Sequence, residues 1–576
     1  MNESLDELKV YPPLLERLLI KRGLKTAKEA EAFLNPDYEK HTHDPFLLKD
    51  MDKAVSRVKM AVENNEKIII YSDYDTDGIP GAVILHDFFK KIGYNNFENY
   101  IPSRHNEGFG LHLQAIEKLA NEGGKLLITV DCGIADLKEV EKANELGMDV
   151  IVTDHHEASP RGLPKAFAVL NPKQPGCGYP NKDICGAGVA FKLVQALCAS
   201  LKDIKSPLKA TFPGWEKWLL DMVGVATLSD MVPLTGENRA LSYYGIKVLR
   251  KSPRIGLMRL CSSLRINQRQ LTEDDIGFSI GPRINAASRM GVPMDAFSLL
   301  VAETEEEAQA HIDHLNEIND ERKGTVAAMV KEMRLRLEKR VKEKEKMPVI
   351  VMGNPKWRPS LLGLACNKLM EDYGRPVFLW GRNGDETLKG SCRAPAGINV
   401  LEILGAAEDG TFTEYGGHRA SGGFTVSDEA VYKLEEKLYS AADGLSISDK
   451  TAENSADSLP ESSEAVSLEE ITGEMFSVLE RLSPFGMGNE KPVFKISDAY
   501  VRAVEFFGKE KQHLKIIFES EKGNRVSAIS FFAPEDKRSI CANLKMGDHL
   551  NISATLEKSF FGYREELRLR VVDILP

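Results

Sequence analysis

Residues 67–78 read Lys67-Ile68-Ile69-Ile70-Tyr71-Ser72-Asp73-Tyr74-Asp75-Thr76-Asp77-Gly78. A short apolar, β-branched run breaks into alternating aspartates, and that switch decides both fold and chemistry. Lys67–Tyr71 has the pattern of a strand buried on both faces, as in a parallel sheet. Side chains alternate along an extended chain, so Asp73, Asp75 and Asp77 tend to one side. Like charges that converge with no counter-charge disfavour folding, and such a cluster needs a cation. Gly78 permits the turn into the helix that follows.

Working outward, the pattern recurs twice. Leu126-Leu127-Ile128-Thr129-Val130-Asp131-Cys132-Gly133 is a strand ending in Asp, and Val150-Ile151-Val152-Thr153-Asp154-His155-His156 is a strand ending in Asp-His-His. Helices are predicted over Ile79–Gly93 and Asp136–Leu146, and strands over Lys125–Asp131 and Asp149–Asp154. This alternation predicts an α/β domain with a mostly parallel sheet. The carboxyl ends of its strands share one edge, where ligands bind. Five aspartates and two histidines are therefore expected in one crevice, joined by Asp230 of Ser229-Asp230-Met231-Val232-Pro233. A lone Asp at a strand end is usually a helix N-cap and a lone His usually structural. Local repulsion and repetition favour a metal site for the whole set. Carboxylates with imidazoles suit Mn²⁺ or Mg²⁺. Two such ions about 3.5–4 Å apart clamp the attacking and leaving oxygens of a phosphoryl displacement, so no serine, cysteine or lysine nucleophile is needed. Asp131 is the expected bridge between them.

The chain has 576 residues, too many for one core, with 42% hydrophobic and 28% charged residues, as in soluble globular proteins. No apolar run is long enough to span a bilayer, and the N-terminus lacks a signal pattern. Eight cysteines are scattered without a Cys-x-x-Cys pair, which points to reduced thiols, a cytoplasmic setting and no thiolate zinc site. The net charge of −11 is unlike a typical nucleic-acid binder. Metal-binding aspartates and an acidic linker account for part of it, and local charge along a groove is what matters.

The expected organisation is a leader segment over 1–60, an α/β catalytic domain over 61–300 and a connecting helix over 301–346. A second α/β domain follows over 347–442, then a flexible acidic linker over 443–472 and a C-terminal β-barrel over 473–576. Thr304–Lys346, rich in Glu, Lys, Arg, Ala and Leu, reads as one long exposed helix or two. In the second domain Val349–Met352 and Pro376–Trp380 read as strands, Leu361–Tyr373 as a helix and Gly416–Gly423 as a glycine-rich loop. Leu445–Glu470, dominated by Ser, Glu, Ala and Asp, reads as the linker. Short strands over His513–Glu519, Arg525–Phe532, His549–Glu557 and Glu565–Ile574 suggest the barrel. It carries Phe506-Phe507, Phe531-Phe532, Phe560-Phe561 and Tyr563 near Lys509, Lys511, Lys558 and Arg564, a composition suited to base stacking. One Phe of each pair is expected to face the barrel core.

These residues resemble the DHH phosphoesterase superfamily and, within it, the RecJ family of single-strand-specific 5′→3′ exonucleases. The resemblance covers nearly the whole chain. Lys21-Arg22-Gly23-Leu24 and Glu29–Pro36 are similar to the family leader. Asp73–Gly78, Asp131–Ile134, Asp154–His156 and Asp230–Leu234 resemble its catalytic motifs, and Gly281–Arg289 the motif that closes the first domain. Lys389–Arg393 and Gly416-Gly417-His418 resemble the DHH-associated domain, and Leu482–Asn489 the entry to an OB fold. The resemblance implies that Asp73, Asp75, Asp77, Asp131, His155 and Asp230 bind two Mn²⁺ or Mg²⁺ ions, with His156 and Asp154 catalytic. It implies nucleic-acid contacts from Arg104, Arg283, Asn285, Arg289, Ser391, Arg393, Gly416, Gly417 and His418, with Arg104, Ser391 and Arg393 on the 5′-phosphate. Arginine's fork of donors suits such a phosphate.

Two positions depart from the family pattern. Tyr71 stands where many DHH enzymes carry a histidine ligand, so the first metal is expected to lean on Asp73. Arg358, in Lys356-Trp357-Arg358-Pro359-Ser360, replaces the histidine of a Trp-His-x-Gly pattern. The function expected is metal-dependent 5′→3′ exonuclease action on single-stranded DNA in repair and recombination, by a cytoplasmic monomer working with a helicase and a single-strand-binding protein. The alternative is a DHH phosphodiesterase for short oligonucleotides or cyclic dinucleotides, which needs neither leader nor barrel.

Overall fold

The structure is a computed structural model that describes all residues except 1–5, 106, 160, 201–212, 344–346, 384–386, 448–463, 509–510, 534, 562–563 and 576. It also leaves undescribed the side chains of residues 6, 341–343, 383, 418, 535–536, 560–561, 564 and 575. The chain forms two compact units: Asp44–Asp230 with Lys247–Ser458, and Met1–His43 with Met231–Ile246 and Leu459–Pro576.

In the first of these units, β1 (Lys67–Ser72), β2 (Phe97–Tyr100), β3 (Gly124–Val130), β4 (Asp149–Thr153) and β5 (Ala168–Leu170) form a sheet in the order β2-β1-β3-β4-β5. Every pairing is parallel. Ile68, Ile69, Ile70 and Tyr71 have no exposed surface, as a strand covered on both faces requires. Fully burying each isoleucine contributes about 1.5–3 kcal/mol. The chain leaves β1 towards β2 on one side and reaches β3 on the other, so the crevice between β1 and β3 is a topological switch point. The helix Gly78–Ile92 starts there. Gly78 is needed for space: a Cβ would lie 2.4 Å from the Asp73 carbonyl oxygen.

Glu305–Glu343 is one continuous helix of 39 residues, about 58 Å long at 1.5 Å per residue. Its first turns bury Ala308, Ile312 and Leu315, and later ones bury Met329, Val330, Met333 and Leu337 in a core shared with Ile350, Leu361 and Val377. That core belongs to a second, mixed sheet ordered β6-β7-β8-β10-β9: β6 (Ile350–Gly353), β7 (Val377–Asn383), β8 (Thr387–Arg393), β9 (Glu414–His418) and β10 (Ser421–Val426). The glycine-rich segment 416–423, expected to be a loop, is an antiparallel hairpin in which Gly417 pairs with Gly422. Its glycines serve close approach, since a Cβ on Gly417 would lie 2.4 Å from the Ser421 carbonyl oxygen.

The other unit holds a barrel ordered β11-β12-β13-β14-β16-β15 and closed by pairing of β12 with β15. The strands are β11 (Glu464–Ala465), β12 (Phe494–Phe507), β13 (His513–Glu519), β14 (Arg525–Ser530), β15 (His549–Phe561) and β16 (Arg564–Leu575). The N-terminal helices share its core: Leu8, Leu15, Leu18, Leu19 and Leu34 pack with Phe494, Ile496, Leu514 and Phe518. Arg17 and Lys21 pair with Glu464 at 2.8 and 2.6 Å. Glu464–Ala465 lies inside the stretch read as a linker, of which residues 448–463 fall outside the described residues.

Candidate metal centre and phosphate pocket

Three neighbouring strand ends build the centre. The N–H of Asp73 donates to the Val130 carbonyl at 3.0 Å, that of Asp131 to Thr153 at 2.9 Å and that of Asp154 to Leu170 at 3.0 Å. The parallel ladder thus runs one residue past each strand and fixes all three carboxylate-bearing residues. Asp131 then turns into the left-handed region (φ 61°), which Asp tolerates better than most residues.

Seven predicted ligand or catalytic side chains converge here. Ligand atoms of Asp73, Asp75 and Asp131 lie within 4.8 Å of one another, as do those of Asp77, His155 and Asp230, and those of Asp131, His155 and His156. His155 Nε2 lies 3.2 Å from Asp131, 3.7 Å from Asp77 and 3.7 Å from Asp230. Asp154 sits behind them. Its Oδ1 accepts from the His156 ring at 2.8 Å and the His155 N–H at 2.7 Å, and its Oδ2 from Ile134 at 3.0 Å. It orients His156 through Nδ1 and does not face the cluster with a spare oxygen.

The electrostatics are those of a cation site. Burial, then the charges of Asp77, Asp75, Asp73 and Asp230, push the Asp131 carboxyl well above its usual range. Burial and Asp75 likewise raise Asp73, and they raise Asp77 to about 7 against the N–H groups of Ala187 and Gly186. Asp230 rises to about 9 through burial and the charges of Asp77 and Asp75. Burial alone would raise Asp154, but hydrogen bonding and charge from His156 hold it low. The Oδ1 atoms of Asp73 and Asp131 are buried without a hydrogen-bond partner among the described residues, and such atoms call for a partner such as an ion or a water. The donor set of carboxylate oxygens with imidazole fits Mn²⁺ or Mg²⁺.

Sequence reading missed two supports. The carboxylate of Asp77 accepts from the N–H groups of Gly186 and Ala187 at 2.6 and 2.7 Å, at the start of the helix Gly186–Ser200. A Cβ on Gly186 would lie 2.6 Å from Asp131 Oδ1. The run Cys185-Gly186-Ala187-Gly188 is the available signal, small residues at a helix start that let a backbone come close to an anion. The second support is Asn285. It accepts from the Thr76 N–H at 3.2 Å and donates to the Thr76 hydroxyl at 3.0 Å, holding the loop between Asp75 and Asp77.

Tyr71 is not turned to the cluster. Fully buried, it donates its hydroxyl to the Gly110 carbonyl at 3.1 Å. Tyr71→Phe is therefore expected to cost about 1 kcal/mol of stability, the worth of one hydrogen bond. Mn²⁺ affinity, measured by calorimetric titration, should stay unchanged.

A second cluster is cationic. Arg104 lies over the Tyr74 ring at 5.1 Å. Arg289 donates to the Ser360 carbonyl at 3.1 Å, and burial, then the charges of Arg104, Arg322 and Arg393, push it down to about 9. The Arg393 guanidinium and Ser391 hydroxyl both face Gly363, at 2.9 and 3.8 Å from a Cβ built there. Among the described residues neither Arg104 nor Arg393 pairs with a carboxylate within 4.0 Å, unlike Arg358, which pairs with Glu321 at 3.2 Å. Of the other predicted nucleic-acid contacts, Arg283 is tied to Asn316 and Ser279 at 2.7 Å each, and Asn285 to Thr76. Gly416 and Gly417 lie on β9, and the side chain of His418 falls outside the described residues.

On the barrel, Phe506 packs against the core while Phe507 points out. Phe532 is 72% exposed with φ 52°, and His513 contacts Phe507, Phe531 and Phe532. Arg570 lies 4.5 Å over Phe531, whereas Lys558 is paired with Glu565 at 2.8 Å. The side chains of Phe560, Phe561, Tyr563 and Arg564, and Lys509, fall outside the described residues.

The DHH family N-terminal domain matches residues 67–224, the DHHA1 domain 345–443 and the RecJ OB domain 464–573. The single-stranded-DNA-specific exonuclease RecJ of Bacillus subtilis (strain 168) is 34% identical over 573 residues, 99% of this chain and 69% of that protein. The chain belongs to the RecJ family. The RecJ of Haemophilus influenzae is 30% identical over 90% of this chain and 89% of its own. The crystal structure of RecJ in complex with Mn²⁺ from Thermus thermophilus superposes with a TM-score of 0.76 at 26% identity, over 100% of this chain and 77% of that one. The RecJ OB match begins at 464, the residue at which β11 begins.

Proposed function

We infer that this protein is a divalent-metal-dependent exonuclease that hydrolyses single-stranded DNA from a 5′-phosphorylated end. One observation carries the reading. An acidic cluster whose buried carboxylate oxygens are unpartnered among the described residues feels the charge of arginines that lack carboxylate partners there, Asp73 that of Arg104, while Asp75 acts on Arg289. One cluster suits cations and the other suits a phosphate.

Asp73, Asp75 and Asp131 would hold one metal ion, and Asp77, His155 and Asp230 a second; Asp131, 3.2 Å from His155, would serve both. Two bound ions supply Lewis acidity to the phosphoryl oxygens and make water a competent nucleophile near neutral pH. Asp154 fixes the His156 ring through Nδ1, so Nε2 is the ring atom presented to a scissile phosphate. The Arg104, Arg289, Arg393 and Ser391 group takes the terminal phosphate and thereby measures where the strand ends. Selectivity for single strands is then steric. Membership of the RecJ family supports the finer expectations of work in DNA repair and recombination, as a cytoplasmic monomer, with a helicase and a single-strand-binding protein. No helix among the described residues is long and apolar enough to cross a membrane. The barrel, with its exposed Phe507 and Phe532, favours long strands over cyclic dinucleotides.

The test is a time course of product lengths from strands labelled at either end, with a 5′-phosphate or a 5′-hydroxyl. Mononucleotide release from the 5′ end is expected. Arg393→Ala should lower kcat/KM on phosphorylated strands about 10- to 100-fold, the worth of a charge-assisted hydrogen bond, and affect hydroxyl ends much less. Degradation from the 3′ end, or equal loss on both ends, refutes the terminal-phosphate assignment.

A further inference from the structure

Beside the metal centre lies an aromatic side chain that neither cluster uses. Phe109 is 52% exposed, and its ring meets the His156 ring edge-on with centroids 5.5 Å apart. An exposed phenylalanine alone means little. This one is built in. It sits between Gly108 (φ 93°) and Gly110 (φ 88°), a left-handed pair that side-chain-bearing residues rarely adopt. The segment is anchored from below at several points. Tyr71 donates to the Gly110 carbonyl at 3.1 Å, and the Leu111 N–H donates to Asp136 at 2.8 Å. Glu107 accepts from the Tyr100 hydroxyl and the Ser103 N–H, both at 2.6 Å. A Cβ on Gly110 would lie 2.8 Å from Asp136 Oδ1, so the position has no room for a side chain. The fold thus uses two left-handed glycines and a buried tyrosine to hold one aromatic ring half in solvent, against the ring of His156.

We propose that Phe109 stacks on a base of one of the two nucleotides flanking the scissile phosphate, and so aligns the strand independently of its sequence. The inference rests on the exonuclease reading above. Every base offers a π-face, so stacking tolerates all four. Terminal phosphate and metal centre fix the backbone at two points, and Phe109 would fix the base between or beyond them. The arrangement also gives Tyr71 a purpose, as the support of a substrate-binding loop.

The experiment uses the full chain with Mn²⁺ and 5′-phosphorylated strands that are intact or carry an abasic residue at the first, second or sixth nucleotide, with Phe109→Ala and Phe109→Tyr. KM is measured in turnover, and strand affinity by fluorescence anisotropy in EDTA. For the unaltered chain, an abasic first or second nucleotide should raise KM about tenfold, and a sixth-position one should not. Phe109→Ala should raise KM on the intact strand by a similar factor, weaken affinity in EDTA, and erase the abasic penalty. Phe109→Tyr should restore all three. An abasic penalty that persists in Phe109→Ala overturns the proposal, as does a variant that loses kcat alone. If the unaltered chain degrades no single strand, the exonuclease reading fails instead.

Discussion

Asp131→Asn is expected to reduce strand degradation by about a thousandfold or more, and at the same time to make the metal-free protein harder to unfold. Loss of a carboxylate proposed to serve both ion positions would remove several kcal/mol of transition-state charge stabilisation, and each 1.36 kcal/mol is a factor of ten. The gain in stability has the opposite origin. Carboxylate oxygens within 4.8 Å of one another repel by about 3 kcal/mol per pair at an effective dielectric near 20, before protonation relieves part of it. Asparagine removes one charge, keeps the shape and accepts the left-handed backbone at φ 61°. Thermal melts with EDTA and with Mn²⁺ check both halves. The native chain should gain about 2.7 kcal/mol when Mn²⁺ is at a hundred times its dissociation constant, and Asp131→Asn should gain little. A variant that Mn²⁺ still stabilises fully, or that still degrades DNA, would remove Asp131 from the centre of the site.

Gly186→Ala, the addition of a single methyl group, is expected to lower activity about a hundredfold. The new Cβ would stand 2.6 Å from both Cβ and Oδ1 of Asp131, at the point where the Gly186 N–H donates to Asp77 at 2.6 Å. Either Asp131 moves or the helix start withdraws from Asp77, and both disturb ligand positions by a few tenths of an ångström or more. Overpacking of this kind costs about 1–3 kcal/mol. Gly324→Ala serves as the control, since nothing lies within 4 Å of its Cβ in the long helix. It should stabilise the chain by about 0.5–1 kcal/mol and leave turnover unchanged. Turnover by Gly186→Ala equal to that of Gly324→Ala would mean that the close approach has no bearing on the ligands.

The strand-end aspartates were legible because each is a local event, an apolar run that stops at a carboxylate on the sheet edge where such residues must meet. What escaped reading is mostly non-local. Asp77 finds Gly186 across 109 residues, and Thr76 finds Asn285 across 209, separations that no window of periodicity can join. The motif around Asn285 and Arg283 marks them as nucleic-acid contacts, and it does not reveal that Asn285 also holds Thr76 or that Arg283 also bonds Asn316. The strand Ala168–Leu170 is too short to display alternation, and Phe97–Tyr100 is only half-buried along its length. In the hairpin 414–426, glycine replaces the side chains whose alternation marks a strand. Phe494–Phe507 hides for another reason. Its register shifts between Ile496 and Ala499 and again between Val501 and Ala503, which breaks the two-residue period twice. Tyr71 reads as a missing ligand because its position in the motif is visible and the direction of its hydroxyl is not.

The bonds from Asp77 to Gly186 and Ala187 bear on how an inactive trap of this protein should be made. A variant that loses Asp77 strips the start of the helix Gly186–Ser200 of its carboxylate. It would arrive inert and misshapen together, so an inert sample would say nothing about hydrolysis. Asp230 is the better choice for capturing a strand intact, because its side chain is 26% exposed and stands at the end of its helix. Its removal would take away a proposed ligand and leave the surrounding backbone bonds in place.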